Sequence, residues 1–203
     1  SQAVQWCNAR SEWDGLTPCY YPSSDRTNVL RTADPRMISN ACVRWYANGW
    51  RLPTEAEWEK SARGGLKGIR FPWGDTITHS NANYNSLYPS EDMPYDLGPY
   101  SGTDTNVTGY SSPWAGFTRN GYGLIDMAGN AGEWCWDFYS TNWYSQAGAT
   151  NMDTRGPVAS DFEYKRVQRN APWYDWGANM RVSARRFGNT PGTVEAFRTV
   201  RQF

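Results

Sequence analysis

The 203-residue sequence predicts an α+β fold of two short helices, a few short strands and long loops, and three observations carry that prediction. Thr54 followed by Glu57 forms a capping box ahead of a helical run, which anchors one helix at its start. The order Trp134, Cys135, Trp136, Asp137 alternates, placing two tryptophans on one strand face and the cysteine and aspartate on the other. Twelve Trp, thirteen Tyr and seven Phe stand beside nineteen Gly and twelve Pro, so large rings fill the space between short regular elements. No internal period divides the chain, and a length of this size is read as one domain over residues 1–203.

Along the chain, AVQWCNARSEW spaces Val4, Trp6 or Cys7, and Ala9 or Trp13 as a short amphipathic helix that Asp14-Gly15 stops. Cys19 to Arg44 mixes turn residues with short extended pieces and reads as a hairpin-like connection. The capped helix follows, with Ala56, Trp58 and Ala62 on one side and Gly64-Gly65 at its end. Phe71 to Phe117 is rich in turn residues, and a loop of that length is expected to be functional or pinned by an ion. Strands are expected at the EWCWD segment, at Lys165–Arg169, at Arg181–Arg186 and at Ala196–Arg201.

Twenty acids balance twenty bases, so no global field draws the chain to nucleic acid or anionic lipid, and no nucleic-acid partner is expected. No apolar run reaches the length of a membrane-spanning helix, so any membrane anchor lies outside this chain. Cys7, Cys19, Cys42 and Cys135 form no CxxC pair and have no nearby histidine, which argues against a zinc site. The first three either form one or two disulfides in an exported protein or stay reduced and buried. His79, the sole histidine, is read as a solvated loop residue, and one imidazole does not make an iron-binding triad.

Three separated blocks, NGWRLPTEAEWEKSARGG from Asn48, NGYGLIDMAGNAGEWCWDFY from Asn120 and AFRTVR from Ala196, resemble the formylglycine-generating-enzyme-like or sulfatase-modifying-factor family. That resemblance implies a variant of the C-type lectin fold, with a small twisted antiparallel sheet carrying long loops. It also implies a strand and helix ahead of Ser1, so the chain is expected to be a fragment or a reduced version. The founding enzyme's activity would need a pair of redox cysteines between the Arg-Gly-Gly-Ser block and the closing Phe-Arg. Here that interval, Arg169 to Phe197, contains no cysteine, and the thiolate such chemistry requires is missing. The resemblance further implies calcium on Asp126, Gly129, Ala131 and Glu133, a set of hard oxygens on a glycine-bent loop. Asn83 with the carbonyl of Tyr84 would begin a second cation site, completed by Asp96 or Asp104.

The tail keeps Arg166, Val167, Arg169, Trp173, Arg181, Arg185, Pro191, Phe197, Arg198, Val200 and Arg201 of the family pattern. Asn170, Ala171 and Pro172 replace Gly-Gly-Ser, and Ala196 replaces a glycine. Between these fixed points stand Tyr174, Asp175, Trp176, Asn179, Arg186, Phe187 and Asn189, a mixture of rings, amides and charge suited to contact. Arg181, Arg185, Arg198 and Arg201 are expected to brace the sheet through carboxylates such as Glu57 or Glu133. In this respect the chain resembles the variable proteins of diversity-generating retroelements, with residues 166–203 as the variable region. The resemblance implies a non-catalytic protein, secreted or on a bacterial surface, that binds a protein or glycan through an exposed face including Asn170 and Ala171. The alternatives are an enzyme of the same superfamily with a non-cysteine site, or an assembly or regulatory domain.

Overall fold

Helix α1 (Gln2–Trp13) buries Ala3, Val4, Cys7, Asn8 and Ser11, a stripe of small side chains at helical spacing. Trp6 and Trp13 lie outside that stripe, at 46% and 85% exposure, and the Trp6 ring meets that of Phe197 edge-on at 5.4 Å. The amide of Asn8 reaches the carbonyls of Tyr20 and Leu30 at 2.8 and 3.0 Å, tying α1 to the connection that follows. Helix α2 (Glu55–Arg63) starts on the full capping box: Glu57 N donates to the Thr54 hydroxyl, and Thr54 N donates to Glu57. Gly64, at φ 56°, ends it in the left-handed region that glycine tolerates best. The computed structural model describes residues 2–32, 38–98, 111–113, 116–188 and 195–202.

Four strands make one sheet in the order β3-β2-β1-β4: β1 (Gly132–Phe138), β2 (Arg166–Arg169), β3 (Arg185–Phe187) and β4 (Glu195–Ala196). β1 and β2 are antiparallel with Glu133 opposite Arg169, and β2 and β3 are antiparallel with Arg169 opposite Arg185. The expected antiparallel sheet is therefore mixed, since β4 lies parallel to β1 with Glu133 beside Ala196. Side chains hold that edge: Trp134 Nε1 donates to Glu195 at 3.1 Å, and Arg198 clamps both oxygens of Glu133. Two strands are also shorter than expected. Arg181–Ala184 forms a turn, with Ala184 N bonded to Arg181 O, and after β4 the chain meets Arg51 at Val200 as a single bridge.

Alternation along β1 divides the core as the sequence requires. Trp136 stacks on Tyr20 at 5.2 Å in the cluster under α1, while Cys135 joins Trp58, Ala62, Val167 and Val182 under α2. Burial of rings this large contributes on the order of 3 kcal/mol each. A third cluster gathers Phe71, Ile77, Tyr84, Ala128, Ala171 and Met180 beneath the long loop. His79 is not fully solvated, since its ring lies 4.8 Å from that of Tyr84.

Buried arginines tie α2 to the sheet. Arg169, its side chain fully enclosed, reaches Glu55 at 3.1 Å and Glu59 at 3.0 Å, and Arg185 takes Glu55 at 2.6 Å. Bracing by Arg198 through Glu133 matches the expectation; bracing through Glu57 does not. The nearer cation for Glu57 is Arg51, which is held on both oxygens at 2.6 Å. Arg181 bonds the carbonyl of Ala178, and Arg201 lies 5.0 Å from the Trp50 ring.

Candidate functional site

The platform for the C-terminal turn begins at Asn170, whose φ of 62° explains why a glycine is expected there and why asparagine is tolerated. Asn170 is 2% exposed, and its side chain points inward. Its amide nitrogen donates to the carbonyls of Gly129 at 2.7 Å, Ala131 at 3.0 Å and Asp126 at 3.3 Å, while its oxygen accepts from Gly129 N at 2.6 Å. Ala171 is likewise buried, packed in the cluster with Phe71 and Tyr84. Neither residue stands on an exposed face, because both are used to seat the turn.

The same contacts decide how the Asp126–Glu133 loop is held. The four expected calcium ligands do come together on one loop, but most of their oxygens are already engaged. The Gly129 and Ala131 carbonyls face the Asn170 amide, and Glu133 accepts from Arg198 and from Trp58 Nε1 at 2.6 Å. Asp126 Oδ1 is buried without a hydrogen-bond partner among the described residues. Burial and, more weakly, the nearby Glu133 push the Asp126 carboxyl up, while Arg198 pulls it down. A guanidinium and an amide thus face Glu133 and the Gly129 and Ala131 carbonyls from within the protein. At the second expected site Asp96 is equally committed, accepting from Tyr84 at 2.5 Å, Ser86 at 2.9 Å and the amides of Leu87 and Gly98. Asp104 lies outside the described residues. Among the described residues no group of three His, Cys, Asp or Glu side chains is placed to hold a metal ion.

Asn170→Ala is expected to lower stability by about 3 kcal/mol, because three carbonyls and an amide lose their partner inside the loop. Urea denaturation measures the loss. If Asn170→Gly instead gains a calcium-dependent rise in melting temperature that the parent chain lacks, the amide is standing in for an ion.

Beyond that platform the turn opens to solvent. Tyr174 is 41% and Trp176 50% exposed, and Asn179 is also exposed. Between the rings, Asp175 organises its neighbours: it accepts from Trp176 N at 2.8 Å and Asn179 Nδ2 at 2.7 Å, and pairs with Arg186 at 2.7 Å. Asn85 N donates to the Asp175 carbonyl, and Trp173 sets its ring edge-on to Tyr174 at 5.2 Å. A cleft of about 240 Å³ lies among Asn170, Asp175, Asn179, Ala184, Arg185 and Arg186. Phe187 turns aside into a stack with Phe162 at 4.8 Å and an edge contact with Tyr139 at 4.9 Å. Asn189 and Pro191 lie outside the described residues.

Ala184 and Arg185 line this cleft and were not anticipated in that role. Reading Arg181–Arg186 as one strand hid them, and no local signal marks a turn there. The four cysteines are free and buried. Burial pushes the Cys19 thiol up to about 11 and the Cys135 thiol well above its ordinary range, so both stay protonated and inert near neutrality.

A loop-rich α+β domain with a capped helix pinned by buried arginines to a four-stranded sheet, and a C-terminal turn raised upon it, defines the sulfatase-modifying-factor class. The chain belongs to the sulfatase-modifying factor enzyme 1-like domain family, matched over residues 1–203. It is 42% identical over 112 residues to the formylglycine-generating enzyme of Thermomonospora curvata, which covers 54% of this chain and 34% of that enzyme. It is 34% identical over 161 residues to the serine/threonine-protein kinase pkn1 of Chlamydia pneumoniae, covering 76% of this chain and 22% of the kinase. The chain thus spans about a third or less of these two relatives. Among solved structures, Treponema denticola variable protein 1 is similar over 98% of this chain and 67% of that one, with TM-score 0.68 and 26% identity. The chain is thus similar both to formylglycine-generating enzymes and to a variable protein.

Proposed function

We propose that this chain is a non-catalytic ligand-binding domain, secreted or displayed on a bacterial surface, that grips a protein or glycan through its exposed C-terminal turn. The observation that carries the reading is the pair of half-exposed rings, Tyr174 and Trp176, flanking an Asp175 that already holds Asn179 and Arg186 in place. Such a face loses little freedom on binding, since its polar groups are fixed beforehand and its rings have few rotamers. Two further facts favour it. No cysteine lies between Arg169 and Phe197, where the founding chemistry would need one, and the likeness to a variable protein extends over 98% of the chain. Calcium has no part in the proposed contact.

The test is a screen of the purified chain against arrays of glycans and of surface proteins. Trp176→Ala should weaken any partner so captured tenfold or more, with a stability change below about 1 kcal/mol. Sibling sequences from one genome should differ mainly at Tyr174, Asp175, Trp176, Asn179, Arg186, Phe187 and Asn189, with Trp173 and Arg181 unchanged. Oxygen-dependent oxidation of a cysteine-containing peptide by the purified protein would end the non-catalytic reading.

A further inference from the structure

A second groove shares no lining residue with the C-terminal cleft. The first turn of α2 and the turn at 151–155 enclose a cleft of about 490 Å³, and no residue of β1 to β4 lines it. Four cations, Arg51, Lys60, Arg155 and Arg201, face two carboxylates, Glu57 and Asp153. Arg51 and Glu57 neutralise each other through two bonds of 2.6 Å, which leaves Lys60 and Arg155 facing Asp153.

Arg155 is the informative member. Its guanidinium lies 4.4 Å from the Trp45 ring and 5.7 Å from the Tyr46 ring, so the aromatic shelf fixes its plane. Among the described residues its one side-chain hydrogen bond is a 3.5 Å contact with the Tyr46 hydroxyl, and no carboxylate pairs with it. An arginine oriented by rings and left without an acid is a ready fork for a carboxylate. An adjoining cleft of about 450 Å³ shares Tyr46, Asn151, Asp153, Thr154 and Arg155 and extends past Trp143 and Met152. Tyr46 itself is 77% exposed at the junction of the two.

We propose that this groove binds a short acidic oligosaccharide, with a uronate carboxylate on Arg155, Lys60 beside it, and the apolar face of a sugar ring against Tyr46. A peptide fits less well, because no sheet edge lies along the groove to take its backbone. Asn151 and Thr154 instead supply polar groups for hydroxyls beside the ring. The site works independently of the C-terminal turn, so either can fail without the other.

The experiment titrates the full chain with trigalacturonate, with a neutral galactose trisaccharide and a glutamate hexapeptide as controls. Saturable binding of the uronate is expected, at least tenfold weaker when salt rises from low millimolar to several hundred millimolar. Arg155→Gln and Tyr46→Ala should each weaken it tenfold or more, and Arg181→Gln, which removes an equal charge elsewhere, should not change it. Lys60→Gln, at an exposed position, gives a second reading if Arg155→Gln lowers the melting temperature, and should weaken binding threefold or more. Absence of saturable binding, equal binding of the neutral trisaccharide or the hexapeptide, or full retention in Arg155→Gln and Lys60→Gln would each overturn the proposal.

Discussion

Glu55→Gln is expected to lower the stability of the fold by about 3 kcal/mol or more, read as a shift of the urea midpoint with unchanged slope. Glu55 is the shared anion of two arginines, and its side chain is 2% exposed. Arg169 is fully enclosed, so removing its partner leaves a charge that water cannot reach and that Glu59, a quarter exposed, only partly balances. Arg185 would lose its anion and keep the Ser140 carbonyl at 2.9 Å and the Tyr139 and Tyr144 rings. The loss should extend past stability, because Arg185 opens β3 and lines the C-terminal cleft. Hydrogen exchange should therefore rise at residues 181–187 in the variant. A stability change under about 1 kcal/mol would mean the network is solvated in a way the geometry does not reveal.

Asp137 provides the second large effect, a pH dependence of unusual sign for a carboxylate. Burial first, and the neighbouring Glu55 second, push its carboxyl from 3.8 up to about 7, against the opposing hydrogen bond from Glu55 N. The folded state therefore holds this proton more tightly than the unfolded chain does. The resulting stabilisation is complete below pH 4 and is lost as pH rises through about 7, by roughly 4 kcal/mol in all. Asp137→Asn keeps an acceptor for Glu55 N and removes the charge. Its stability advantage over the parent should be near zero at pH 4, grow with pH, and level off above 7. A flat or inverted difference across that window would refute the assignment. Because Glu55 contributes to the shift, Glu55→Gln should move the window down, and the two substitutions should not be additive.

Much of the fold could be read from local pattern. Thr54 and Glu57 announced the capping box of α2, Gly64 its end, and the Trp134-Cys135-Trp136-Asp137 order the division of the core on two sides of β1. These features are legible because capping and strand alternation involve residues a few positions apart. The pairing of acids and bases was less accessible. Arg198 with Glu133 followed the pattern, yet Glu57 was assigned to the sheet when Arg51, six positions away, holds it. Glu55, the anion at the centre of the frame, carried no signal beyond its place in a first helical turn.

The candidate face divides along the same line. Tyr174, Trp176 and Asn179 stand in solvent as their polar, aromatic neighbourhood led one to expect, and Asp175 lies between them as the organiser. Asn170 and Ala171, adjacent in sequence, are turned inward, since a left-handed residue at 170 reverses the chain and aims its amide at the 126–131 loop. That inward amide, like Arg198 on Glu133, also engages most of the loop's oxygens from within the protein, Asp126 Oδ1 excepted.

By itself, then, the sequence determined the class of fold, the two helices, the strand at 132–138 and the absence of cysteine from the last third of the chain. Only the tertiary structure decided that β4 runs parallel to β1, which carboxylate meets which guanidinium, and which side of the C-terminal turn is wet. The reason is physical: propensity and capping act across one or two turns of chain, whereas burial and ion pairing are set by segments a hundred residues apart, such as Glu55 and Arg169.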